Sequence, residues 1–134
     1  MPTPEPLRLQ VSAPERALLG RPLILGIVLV NRGGDTVDVT LVGDPHFDLT
    51  VTRPDGAVVW SRLPTNGFVP DVAATRRMRP GDSLLLRDTW PQIDARGDKI
   101  PPGRYCVYGI VFGTPSNLRL RAMLAEPAVI VIEP

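Results

Sequence analysis

Apolar and polar residues alternate with a period of two along most of this chain. Leu7, Leu9 and Val11 are separated by Arg8 and Gln10, the spacing of a half-buried strand. Residues 23–30 are continuously apolar and rich in β-branched side chains, between Pro22 and Asn31-Arg32-Gly33-Gly34. A short run with those boundaries predicts a central strand rather than a helix. The Gly33-Gly34 step predicts a hairpin into residues 36–41, with Val37, Val39 and Leu41 on one face and Thr36, Asp38 and Thr40 in water. Phe47, Leu49 and Val51 share the inner face of the next strand, opposite Asp48, Thr50 and Thr52. Pro54-Asp55-Gly56 then turns the chain into residues 57–62. Further strands are predicted at 76–79, 83–90, 105–112, 118–123 and 128–132, with 113–117 as a turn. No helical period competes with these. The pattern predicts an all-β protein, an immunoglobulin-like antiparallel β-sandwich of roughly eight to ten strands.

Pro and Gly punctuate this pattern. They contribute 16 and 12 of 134 residues, below the ~25–30% of low-complexity chains. Residues 1–6 form a loose extended lead-in, and residues 7–134 a single sandwich domain. Two segments lack any strand period. Residues 63–75 contain Pro64, Asn66-Gly67, Phe68, Val69, Pro70 and Asp71 and make the longest predicted loop; ordinary connections run ~4–6 residues, and longer ones are often functional. Residues 91–102 make the second. Gly103-Arg104-Tyr105 heads an apolar strand as the tyrosine corner of a sandwich does. The position that carries the disulfide cysteine in antibody domains is Val107, so Cys106 belongs to the opposite face.

Charge narrows the function classes. Net charge is +1, which supplies no field for a polyanion or an acidic membrane. No apolar run approaches the ~18 residues of a membrane span. A single cysteine excludes an internal disulfide and favours a reducing compartment; with no signal-peptide pattern in residues 1–6, a cytoplasmic protein is expected. His46 is the sole histidine and is predicted exposed in the Asp44-Pro45-His46 turn. It has no neighbouring nucleophile, so no catalytic residue is expected. One His and one Cys cannot build a zinc site, and Asp94-Ala95-Arg96-Gly97-Asp98 lacks the ligand spacing of a calcium loop. No metal and no cofactor are expected. Arg76, Arg77 and Arg79 read as a solvated strand edge, Cys106 as a small core residue, and Trp60 and Trp90 as core aromatics. Both faces of 23–30 and of 105–112 are apolar; any such face left uncovered is a partner surface.

Several of these signals recur together. Phe47-Asp48-Leu49, Asp55-Gly56, Val59-Trp60-Ser61, Phe68, Arg79-Pro80-Gly81-Asp82, Trp90 and Pro102-Gly103-Arg104-Tyr105 follow one another in an order that resembles the bacterial intracellular proteinase inhibitor family of BsuPI type. The resemblance covers residues 23–112. Asp82 stands where Glu is usual, and Arg104 where Thr is usual. It implies a non-enzymatic protein that presents a loop to a subtilisin-class serine protease. The contact residues it points to are Pro64, Asn66, Phe68, Val69, Pro70 and Asp71, with the two prolines limiting the freedom of the unbound segment. The alternative is an immunoglobulin-like interaction module of an envelope or assembly protein, without inhibitory activity.

Overall fold

The computed structural model describes residues 6–44, 46–62, 69–115 and 121–134. These residues form eleven strands: β1 Leu7–Ser12, β2 Arg16–Leu18, β3 Leu23–Asn31, β4 Val37–Asp44, β5 Phe47–Thr52, β6 Val58–Ser61, β7 Val69–Met78, β8 Ser83–Trp90, β9 Gly103–Pro115, β10 Arg121–Leu124 and β11 Ala128–Glu133. They make two sheets. The small one has the order β1-β3-β8, and the large one runs β2-β11-β9-β4-β7, with β5 and β10 also on β9 and β6 on β5. All pairs are antiparallel except the short β2, which runs parallel to β11. The chain is thus an immunoglobulin-like antiparallel β-sandwich.

β9 is the hub of the large sheet. Its first half pairs β11 and its second half β10, while β5 and then β4 occupy the opposite edge. Residues 113–115, expected in a turn, extend this strand because both β4 and β10 offer it backbone partners. The core lies between the sheets. β3 contributes Leu25, Ile27 and Leu29, β5 contributes Leu49 and Val51, β9 contributes Val107 and Val111, and β11 contributes Ile130 and Ile132. Gly109 lets the sheets approach closely, since a Cβ there would stand 2.7 Å from the Ile27 side chain. At one end Trp90 packs against Trp60 (ring centroids 6.2 Å apart) and edge-on against Tyr105 (6.0 Å). The Tyr105 hydroxyl donates to the Pro101 carbonyl (2.5 Å), closing the tyrosine corner. Burial pushes this phenol above its ordinary value, while the Arg53 guanidinium pulls the other way.

Three expectations about the backbone are corrected. Gly33-Gly34 does not make a hairpin, because β3 and β4 belong to different sheets. The connection instead crosses the sandwich, and buried Asn31 holds it in place. Asn31 Nδ2 donates to the Asp35 and Met78 carbonyls, both at 2.9 Å, and its Oδ1 accepts from the Gly33 amide. Its backbone bonds Gly81 and Asp82, which lie in the other crossing, from β7 to β8. One side chain therefore locks two sheet changes together. Second, residues 69–75 of the expected loop form the first part of β7, paired along β4. As an edge strand, β7 tolerates Pro70, which has no amide to donate. Third, Thr52 lies on the outer face beside Cys106 but is buried there, where the β5–β6 register shifts.

Candidate functional site

The residues expected to contact a partner divide into two groups. Pro64, Asn66 and Phe68 lie outside the described residues, whereas Val69, Pro70 and Asp71 open β7. What the structure adds is the root of this segment. The Arg62 guanidinium lies over the Phe47 ring, 4.4 Å from its centroid, and its Nε donates to Asp88 Oδ2 at 2.6 Å. The chain thus leaves β6 from a residue tied to both sheets, through Phe47 of the large one and Asp88 of the small one. No local motif announces Arg62, since its partners are 15 and 26 positions away.

The second expected loop, 91–102, uses its polar groups internally. Gln92, the one described non-glycine residue at positive φ (58°), is buried. Its Nε2 donates to the Leu18 and Arg21 carbonyls, and its Oε1 accepts from the Gly20 amide. Asp94 Oδ1 accepts the Arg96 and Asp98 amides, so this carboxylate closes a turn. Trp90 Nε1 donates to the Ile93 carbonyl. Among the described residues, no three His, Cys, Asp or Glu side chains gather as a cation-binding group.

His46 and Cys106 are also corrected. His46 is half-buried rather than exposed, its carbonyl accepts the Phe112 amide, and its Nδ1 is enclosed without a hydrogen-bond partner. The β5–β9 pairing draws it inward at the head of β5. Cys106 is not a core residue. The alternation of β9 puts Val107 in the core and Cys106, half-exposed, on the outer face.

That outer face carries several exposed apolar side chains. Its cross-strand rows follow from the register. Val58, Thr52, Cys106 and Val129 line up across β6, β5, β9 and β11. The next row sets Thr50 beside Tyr108, and the next sets Asp48, Ile110 and Leu124 across β5, β9 and β10. Phe112 pairs with Ala122 beyond them. Within this stripe Leu124 is 78% exposed, Val129 51% and Tyr108 46%. Its charged groups are Asp48 on β5, Arg104 at the head of β9 and the Arg16–Glu133 ion pair (2.7 Å) on β2 and β11.

The fold recurs in solved proteins. Spo0M, the sporulation control protein from Bacillus subtilis, is 12% identical with a TM-score of 0.53, over 97% of this chain and 50% of that one. The putative ApaA protein from Bordetella pertussis is also 12% identical, with a TM-score of 0.50 and 96% of each chain covered. The CARDB domain of the PF1109 protein from Pyrococcus furiosus matches at 11% identity and a TM-score of 0.47, over 95% of this chain and 87% of that one. The chain spans half the length of Spo0M. No protein-family model and no curated protein matches this sequence. Likeness at these identities speaks to the fold alone.

Proposed function

We propose that this chain is a non-enzymatic binding module that docks a partner protein on the outer face of its large sheet. The observation that carries the reading is the exposed stripe through Leu124, Ile110, Tyr108, Cys106 and Val129. An apolar surface contiguous over three strands, with an exposed tyrosine near its centre and charges at its rim, has the composition of an interface core. The sequence already supplies the reason for it, because 105–112 is apolar on both faces and the sandwich covers only one. The test is site-specific photo-crosslinking in expressing cells, with the reactive group at Tyr108. A discrete protein adduct that disappears on Leu124→Asp supports the reading; no adduct at Tyr108, or one indifferent to that substitution, removes it.

A sharper reading makes the partner a subtilisin-class serine protease. It rests on the family resemblance and on Arg62, which anchors the root of the segment containing Pro64, Asn66 and Phe68. The motif residues Trp60, Trp90 and Tyr105 are buried and Gly81 occupies a turn, so they support the sandwich rather than the activity. The deciding experiment titrates a subtilisin-class protease with the wild-type chain and with a chain whose residues 63–68 are replaced by a Gly/Ser linker. Stoichiometric loss of amidolytic activity with the wild type alone supports this reading. An unaffected protease at high excess of wild type sinks it and leaves the binding module standing.

A further inference from the structure

We infer that the edge of β8 that no other described strand pairs is a second interaction surface, and that its occupant is the β8 edge of another copy of this chain. The other edge strands are protected. β1 is covered by the segment before β11, since the Val11 amide donates to the Glu126 carbonyl and the Glu126 amide to the Leu9 carbonyl. β7 carries Pro70, Arg76 and Arg77. β2 has three residues, and β6 and β10 four each. β8 has eight, Ser83-Leu84-Leu85-Leu86-Arg87-Asp88-Thr89-Trp90, without proline or glycine, in an unbroken register with β3.

The hydrogen-bond phase of that edge is determined. The Asn31 amide donates to the Asp82 carbonyl, and the Gly81 amide to the Asn31 carbonyl. Counting along the ladder, the bonded pairs with β3 are Leu29–Leu84, Ile27–Leu86 and Leu25–Asp88. The backbone groups of Ser83, Leu85, Arg87 and Thr89 therefore point away from β3. The Arg62–Asp88 ion pair occupies the Trp90 end, which leaves Ser83 to Arg87 as the open template.

This template is complementary to itself. When two copies pair antiparallel about a two-fold axis through Leu85, Leu85 meets Leu85, Leu84 meets Leu86, and Arg87 meets Ser83. About six backbone hydrogen bonds form, and no like charges face each other. A register centred on Arg87 would oppose two guanidinium groups, which is unfavourable. One that sets Leu85 against Arg87 would also set Leu84 against Asp88, whose carboxylate already holds Arg62. The Leu85 side chain is placed for its role. It leans over Gly26, where a Cβ would stand 3.1 Å from Leu85 Cδ1, yet remains 49% exposed on the outer face. Pairing would join three strands from each copy into one continuous sheet, away from the stripe on the large sheet.

Sedimentation equilibrium tests this with the full chain, Leu85→Glu, Leu85→Lys, and an equimolar mixture of the two variants. Far-UV circular dichroism and the melting temperature check that each variant folds. Twice the chain mass of 14.6 kDa is expected for the wild type, the single mass for either variant alone, and the doubled mass again for the mixture, because Glu then faces Lys across the axis. Wild type that stays monomeric up to about 1 mM overturns the proposal. So does a folded variant that dimerises as the wild type does, or a mixture that remains monomeric.

Discussion

The two sheets leave different parts of themselves unfinished. The large sheet exposes side chains: its outer face carries an apolar stripe along β9 with β10 and β11 beside it, while its edge strands are short or guarded by proline and arginine. The small sheet exposes backbone. Its outer face sets Ile24, Val28 and Val30 of β3 and Leu85 of β8 among Arg8, Gln10 and Ser12 of β1 and Ser83, Arg87 and Thr89 of β8, so polar side chains interrupt the apolar ones, and β8 ends the sheet with the amides and carbonyls of residues 83–87 paired by no other described strand. An apolar face gains from any complementary apolar surface, because area removed from water is non-directional. An edge demands a strand in register. On the two proposals together, one sandwich would hold two partners by different physics without competition between them.

The comparison breaks most completely where both sheets share a support. Trp90 belongs to β8 and packs on Trp60 and Tyr105 of the large sheet. Trp90→Ala should destabilise the protein by about 3–5 kcal/mol, read in chemical denaturation, and should remove both interaction surfaces together. Loss of one surface with retention of the other would mean that the sheets are not held by this cluster. Asn31 is the next largest. Asn31→Ala strips bonds from two carbonyls and one amide at the paired crossings, and a cost of about 2 kcal/mol is expected. Hydrogen exchange should show early opening of residues 31–36 and 78–83; uniform opening across the chain would deny Asn31 its role as a lock.

Tyr105→Phe should cost about 1 kcal/mol by removing the hydroxyl bond to Pro101, and it carries a pH signature. Because burial raises the phenol above its ordinary value of 10.0, the neutral form is favoured in the folded state. That stability is fully present below pH 10 and is lost as pH rises through the folded value. The wild type should therefore weaken above pH 10 more steeply than Tyr105→Phe, as followed by thermal melts; parallel alkaline profiles would count against the buried phenol as the cause. The smallest effect on stability discriminates best. Leu124→Asp should leave folding within about 0.5 kcal/mol of wild type and remove only partner docking on the stripe, with the sedimentation of the chain unchanged. A Leu124→Asp chain that also lost its self-association would collapse the distinction between face and edge.

Parts of this arrangement are legible in the residues. Phe47, Leu49 and Val51 announce their inner face by alternation, and the Gly103-Arg104-Tyr105 corner closes as its pattern implies. Elsewhere local pattern misleads for definite reasons. Gly33-Gly34 permits a hairpin and a sheet crossing equally, and the choice falls to the bonds of Asn31 with Met78, Gly81 and Asp82 far along the chain. Residues 69–75 lack a period because β7 lies at an edge, with residues 73–77 exposed on both faces. A strand with no buried face has no reason to alternate. Of the candidate site, only the apolarity of both faces of 105–112 could be read in advance. Leu124 and Val129 join that surface because β10 and β11 pair β9, and Arg62 meets Asp88 only across the gap between sheets.

Local pattern is enough to show that the chain is built from strands and which side chains of the regular strands are apolar. Those properties depend on neighbours within a few positions. The tertiary structure decided which apolar face is covered and which edge is left unpaired. Each of those outcomes depends on the order of strands within a sheet, and that order is a property of contacts between residues tens of positions apart.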